Sequence, residues 1–600
     1  MALKGEFMKR NEIDERLKWD TSLIYKSDED YYSEVKEARE LADKLTDYKG
    51  KITENADTLL AFLKDYEKLM RKFYKAAVYG HLRSDEDTAN STYQEMSQTS
   101  SIAGSEISEK LSFITPEILA ADYEDIKKML GEKEELKIYD HYFEDLFRSK
   151  DHVLGENEEK VIASFSKLAE NPVSTYMIFS NADIKFPSVE KDGEEIELSD
   201  ANFTTLEEDQ DRNFRRKVYE TYYKVYKQFE NTAASLLDGE ITSHNIESKL
   251  RKYDSARQMS LFANNLDEKI YDNLLEVVHD NMDIHRDYTT LRKEFLGVDD
   301  LGFHDIYVPL VKDYDRKIEF DEARDIVLEA IKPLGEEYVE VARKGFEQRW
   351  FDVMPNEGKR SGAYSSGSYD TQPYILLNHT NTINDVFTIA HELGHSMHSY
   401  YTRKTQPYIY GSYSIFLAEI ASTTNELLLL DYMLKNSQSE AETAYLLNYF
   451  VNQFKSTVFR QTMFAEFEHE VNKLVANGEP IPAARLDKIY GDLNRDYFGK
   501  DIDVDEYIST EWSRIPHFYM FYYVFQYATG FMSAVALSQK ILKGTDEDRQ
   551  AYLNYLKAGE SEYPIDVLKK AGVDMTNKDA MQKAMDVARE ALKDLRNAIM

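Results

Sequence analysis

Residues 391 to 395 read His-Glu-Leu-Gly-His, two imidazoles four positions apart with a glutamate after the first. On a helix, positions i and i+4 lie about 40° apart around the axis and about 6 Å along it, so His391 and His395 can converge on one ion. Glu392 falls one step round the helix, where its carboxylate reaches a metal-bound water without ligating the metal itself. With 13 histidines in 600 residues, about 0.03 such pentapeptides are expected by chance. The chemistry indicated is metal-assisted hydrolysis. His469-Glu470-Val471-Asn472-Lys473 starts the same way but closes on an ammonium that cannot ligate, and it reads as surface.

A catalytic zinc takes three protein ligands and keeps one position open for water. The metzincin pattern needs glycine at position 398 and histidine at 401; the sequence has His398 and Tyr401, which excludes that class. The other solution is a carboxylate from a later helix, and the segment Ser414 to Asn436 carries Glu419 and Glu426. Seven positions apart, they share a face but stand about 10 Å apart along the axis, so one ion cannot take both. The earlier reads as the ligand, the later as a carboxylate that orients a ligating histidine through its other ring nitrogen. His398 reads as a structural histidine. With no cysteine in the chain, any metal set is confined to His, Asp and Glu.

These residues need elements to hold them. Thr382 and Asp385 have capping-box spacing, and Val386, Ile389, Ala390, Leu393 and Met397 then form an apolar helical stripe. The motif therefore sits two to three turns into a helix packed on a core. Upstream, residues 355 to 379 break the helical pattern at Gly362 and Gly367, and Tyr374 to Leu377 reads as a short strand. Residues 515 to 539 carry no Asp, Glu, Lys or Arg, yet the tyrosines with His517, Gln526 and Gln539 are too polar for a membrane span; a buried helix with polar handles is expected. Near the start, Leu59, Phe62, Leu63, Tyr66, Leu69, Met70 and Phe73 recur at three-to-four spacing, a packing stripe. Ile184, Phe186 and Val189 alternate up to the turn signal Asp192-Gly193, and Ile196 and Leu198 alternate after it, so a β-hairpin is expected. The hairpin suggests an N-terminal helical region over 1–182, a hairpin linker over 183–204 and a catalytic region over 205–600. A last amphipathic helix is expected over 576–600, opened by Thr576 and Asp579 in capping-box spacing.

Composition agrees with a helical body. Only 24 glycines and 12 prolines occur among 600 residues, below the usual shares of about 7% and 5%. Hydrophobic residues make up 42%, which excludes a disordered chain. With 74 basic against 110 acidic residues the net charge is −36, which disfavours nucleic acid or an anionic membrane as partner and leaves peptides or cations. The N-terminus lacks the apolar region of a secretory signal, and the absence of disulfides suits a reducing cytoplasm. Met8 offers a second start, which makes residues 1–7 a candidate expression remnant.

The stretches HELGHSMH, FLAEIASTTNE, KRSGAYSSGSYDTQPYILLN and IPHFYMFYYVFQYATGF together resemble the M3 family of zinc oligopeptidases, nearest its oligoendopeptidase F branch. The resemblance implies a mainly α, two-lobed zincin-type fold with a deep substrate channel and a small β component beside the active site. It implies one Zn2+ held by His391, His395 and Glu419, Glu392 as the general base, and Glu426 behind the ligands. It also implies His517 and, five residues later, Tyr522 as donors to the carbonyl oxygen of the substrate. A second tyrosine is expected twelve residues after His517, but that position is Thr529, which leaves Tyr523 or Tyr527. The loop with Gly362 and Gly367 and the strand from Tyr374 resemble the family's substrate-lining edge, where an extended peptide adds as a strand. The implied activity is zinc-dependent hydrolysis of internal bonds in short, unfolded oligopeptides. A helical zinc carboxypeptidase or peptidyl-dipeptidase shares the same ligands and is the alternative; a non-enzymatic binding protein with a structural zinc would not require Glu392.

Overall fold

The computed structural model describes residues 8–311 and 316–600; the candidate remnant at 1–7 lies outside them. The fold is mainly α-helical, and packing divides it into two units that each collect three separate stretches of chain. One comprises Met1–Lys150, Asp315–Tyr432 and Leu537–Gly572, the other Asp151–Tyr314, Met433–Ala536 and Val573–Met600. The expected division at 183–204 follows chain order, whereas these units follow packing across distant stretches of chain, and the hairpin lies inside the second.

The helices that matter for function are, in chain order, α1 (Asp28–Leu45), α2 (Ala56–Glu86), α3 (Ser91–Leu111), α4 (Arg212–Gln228), α5 (Ile383–Thr405), α6 (Ile415–Lys435), α7 (Arg460–Ala476) and α8 (Phe525–Lys543). The strands are β1 (Val189–Lys191), β2 (Glu194–Ile196), β3 (Leu301–Gly302), β4 (Phe351–Asp352), β5 (Tyr364–Ser366), β6 (Tyr374–Leu376) and β7 (Ile502–Asp503).

In the first unit, α1, α2 and α3 pack together, and the expected stripe on α2 buries Leu59, Phe62, Leu63 and Leu69 with Tyr66, Met70 and Phe73 at its margin. A neighbouring cluster joins Trp19, Tyr31 and Leu82 to Tyr374 and Leu376 of β6, so the sheet is rooted in the core. That sheet has the order β4-β6-β5, with β4 parallel to β6 and β5 antiparallel to it. β5 pairs with β6 alone, which leaves it an edge strand among the described residues. Asp352 of β4, buried, receives Arg10 at 2.6 Å and Lys359 at 2.7 Å, and these pairs fix the start of the glycine-containing loop.

In the second unit, Asp192 and Gly193 both have positive φ, 54° and 84°, the requirement of the tight turn that joins β1 to β2. Tyr219, Tyr222, Tyr223 and Tyr226 of α4 are all buried, with Phe186 stacked on Tyr222 at 4.9 Å. The uncharged stretch from Ile515 is not one continuous helix: Pro516–Tyr519 forms a single 3-10 turn, Tyr522 adopts φ 49°, and α8 begins only at Phe525. No helix among the described residues is long and apolar enough to cross a membrane. The C-terminal helix starts at Asp579, and the expected capping box is absent because Thr576 turns its hydroxyl to Asp574 at 2.6 Å.

Candidate active site

α5 begins as its sequence dictates. Thr382 accepts the N–H of Asp385 at 3.2 Å, Asp385 accepts the N–H of Thr382 at 2.8 Å, and Val386, Ile389, Ala390, Leu393 and Met397 are buried. This fixes the rotation of the helix, so His391 and His395 emerge on one side, half-buried. α6 crosses at Gly394. A Cβ there would come within 2.5 Å of the Ser422 Cα and 2.8 Å of the Ala421 carbonyl, so glycine alone lets the two backbones touch. The Asn425 amide donates to the Ala390 carbonyl at 3.3 Å and sets the register between the helices.

Close approach brings Glu419 between the histidines. Its Oε2 lies 3.5 Å from His391 Nε2 and 3.6 Å from His395 Nε2, and the potential ligand atoms of the three residues lie within 4.8 Å of one another. Glu426, seven residues on, instead accepts from His391 Nδ1 at 2.6 Å. That bond makes Nδ1 a donor and turns Nε2 toward Glu419. The Ser422 hydroxyl donates to Glu419 at 3.3 Å. Two imidazoles and one carboxylate, with Glu426 on the far nitrogen of His391, are the donor set a zinc ion takes once the imidazoles are neutral. His398 is not part of it: fully buried, it stacks on Tyr413 at 3.7 Å, and neither ring nitrogen has a partner.

Beside α5, Ser365 of β5 meets Ser396 at 2.8 Å, holding the strand edge against the helix that carries the ligands. Gly362 (φ 86°) and Gly367 (φ 147°) take the positive angles that permit the loop around β5, and the Asn378 amide secures the Gly362 carbonyl at 2.8 Å. Tyr374 is buried, its hydroxyl on the Asp20 carbonyl at 3.0 Å, so it anchors the sheet and does not line the edge.

In the second unit, His517 Nε2 and Tyr527 Oη lie 3.4 Å apart, and the rings of Tyr523 and Tyr527 meet edge to face at 5.3 Å. All three are half-buried. Tyr522 is buried, its N–H on Glu468 at 2.6 Å and its hydroxyl 3.1 Å from His469 Nδ1.

A family model described as Peptidase family M3 matches residues 205–587, and one described as Oligopeptidase F matches residues 117–186. The chain belongs to peptidase family M3. Among its relatives is the "Oligopeptidase PepF" of Bacillus subtilis (strain 168), 43% identical over 592 residues, which span 98% of this chain and 88% of that protein. A solved structure from Chlamydophila abortus superposes with a TM-score of 0.92 at 34% identity, covering 99% of this chain and 100% of that one. The oligoendopeptidase-F of Enterococcus faecium gives 0.75 at 36% identity, covering 95% and 99%. This M3 chain is a metalloendopeptidase; the exo-acting alternative is not favoured.

The charges of the M3 site suit its residue types. Burial pushes the Glu392 carboxyl up, against the pull of His391 and His395, which makes it a better proton acceptor than an exposed glutamate. Burial acts to raise Glu419, but the hydrogen bond and charge of His395, the charge of His391 and the Ser422 hydroxyl together outweigh it and hold this carboxyl at about 2, an anion ready for a cation. Burial lowers His517, keeping it neutral.

Two expectations need correction. Spacing pairs His517 with Tyr522, whereas the fold pairs it with Tyr527, because the positive φ at Tyr522 turns that side chain inward. His469 is not surface. Arg257 can only donate, so its contact with His469 Nε2 at 3.3 Å makes that nitrogen an acceptor, and Nδ1–H then donates to Tyr522. Burial, with Arg257 next, lowers His469 to about 3. The sequence reading missed Glu468, whose carboxyl group, pushed up to about 8 by burial, accepts the N–H of the strained Tyr522, and the role of Gly394. A clue was available for α7, since Ala465, Glu468 and Asn472 continue a buried helical face.

Proposed function

We propose that this endopeptidase hydrolyses internal bonds of oligopeptides with one zinc ion held by His391, His395 and Glu419. The observation that carries the reading is their convergence while Glu426 occupies the far nitrogen of His391. Zinc, when bound, supplies a Lewis acid that polarises the scissile carbonyl and acidifies water. Glu392, one residue from the first ligand, takes the proton of the attacking water and returns it to the leaving amine nitrogen. The edge of β5, with Gly362 and Gly367 beside it, receives the peptide backbone through main-chain hydrogen bonds, which tolerates many side chains. Among the second unit's residues we assign His517 and Tyr527 as donors to the developing oxyanion, on their mutual contact and partial exposure, with Tyr523 beside them. Tyr522 supports this segment from within. The lack of cysteine suits work in a reducing cytoplasm.

Glu392→Gln tests the central assignment. The variant should keep a full complement of zinc by elemental analysis and lose about 100-fold or more in turnover of an internally quenched peptide. Near-wild-type cleavage would remove Glu392 as the base.

A further inference from the structure

Arg403 lies eight residues beyond His395 on α5, about 12 Å further along the axis. It shares a helix face with Ser396, seven residues earlier, and that face runs along β5. Ser396 meets Ser365 on the strand; Arg403 Nη2 donates to the Gly367 carbonyl just past its end, at 3.1 Å. Arg403, half-buried as a whole, has no carboxylate among the described residues; Arg292, also without one, instead gives its Nη2 to the Asp305 and Val308 carbonyls at 2.7 and 2.6 Å. Arg460 and Arg514 each reach Glu511 at 2.7 Å, Arg215 reaches Asp305 at 2.7 Å, and Arg10 reaches Asp352 at 2.6 Å. Arg403 Nη1 is buried with no partner at all, and burial pulls its guanidinium pKa down with only the phenol of Tyr413 acting against it.

Burying part of a cation without a counter-charge is unfavourable, and an anion from outside the chain would offset that cost. Gly367 keeps the guanidinium clear on this side, since a Cβ there would stand 2.9 Å from Nη1. An extended peptide rises about 3.3 Å per residue, so the 12 Å from His395 to Arg403 corresponds to about four residues. We propose that Arg403 is a substrate-recognition residue that takes a carboxylate of the bound peptide, terminal or side-chain, about four residues from the cleaved bond. The proposal rests on the assignment of the β5 edge as the peptide's path. It also sets a local preference against the overall charge of −36, which by itself favours basic peptides.

The test uses the zinc-loaded full chain and matched peptide pairs: Glu against Gln at each position around one cleavage site, and free-acid against amidated C-termini. The wild type should cleave the carboxylate member of one pair about tenfold faster in kcat/KM, and Arg403→Gln should bring that ratio close to one. A response in the Glu/Gln pairs identifies a side chain, and a response in the acid/amide pair identifies the terminus. Because each ratio is internal, partial loss of active protein cancels; Arg403→Met replaces the variant if Arg403→Gln does not fold. A wild-type ratio near one in every pair, or the same ratio in wild type and variant, overturns the proposal. Calorimetric binding of the same pairs to Glu392→Gln, with and without Arg403→Gln, gives the ratio without turnover. If the wild type cleaves no peptide, the peptidase reading fails, and the calorimetric ratio still decides Arg403.

Discussion

Replacing Glu426 by Gln removes the charge behind His391 while keeping the shape of the side chain. In the metal-free protein burial disfavours the imidazolium, but the 2.6 Å bond to Glu426, with Glu392 and Glu419 behind it, holds His391 up at about 9. Zinc needs the neutral ring, so at pH 7 that proton must leave, at a cost of about 2.7 kcal/mol. The same carboxylate makes the neutral imidazole a stronger ligand and aims its Nε2; losing such a partner typically weakens metal binding 10- to 100-fold, about 1.4–2.8 kcal/mol. The two effects oppose each other and separate with pH. At pH 9.5 His391 is mostly deprotonated and Glu426→Gln should bind zinc 10- to 100-fold more weakly than wild type. At pH 7 the variant's imidazole gives up its proton more easily, so the deficit shrinks. Competition against a chromophoric chelator at both pH values measures this. Equal affinities at pH 9.5 would refute the orienting role, and a deficit as large at pH 7 as at pH 9.5 would refute the proton competition.

Gly394→Ala should lower stability by about 1–3 kcal/mol and weaken zinc binding, because the new methyl meets the α6 backbone at 2.5 Å and carries Glu419 away from the histidines; unchanged zinc affinity in the chelator assay would contradict the close-contact argument. His398, lowered to about 3 by burial and then by His395, has a folded pKa below its unfolded value. Its contribution is therefore present above about pH 6.5 and is lost as pH falls toward 3, reaching about 2 kcal/mol at pH 5. Between pH 7 and pH 5, metal-free His398→Phe should lose less stability than wild type in denaturant titrations, and parallel losses would show that His398 does not set the slope.

Much of the convergence of His391, His395 and Glu419 was legible in the sequence because these residues lie on two helices close along the chain. The 3.6-residue period places His391 with His395, and the rise separates Glu419 from Glu426, giving each a different role before any contact is known. The cap at Thr382 and the hairpin turn at Asp192-Gly193 were legible for the same reason: both depend on interactions within a few residues. Periodicity failed where one backbone angle intervened. Tyr522 has the expected spacing from His517, yet its φ of 49° sends the ring into the core and leaves Tyr527 at the imidazole. It failed again at His469, where the lysine that closes the motif gave no sign of a buried contact with Tyr522.

The sequence by itself determined the residue set: a cysteine-free His/Glu cluster, a glutamate beside it, a mainly helical scaffold and membership of a peptidase family. Tertiary structure alone decided which groups reach each other across long stretches of chain. It made Gly394 the contact between α5 and α6, turned Tyr522 inward onto Glu468 and His469, gathered each unit from three separate segments, and left Arg403 enclosed without a carboxylate. The physical reason is that local spacing fixes the direction of a side chain, whereas its partners and its cost of burial depend on residues tens or hundreds of positions away.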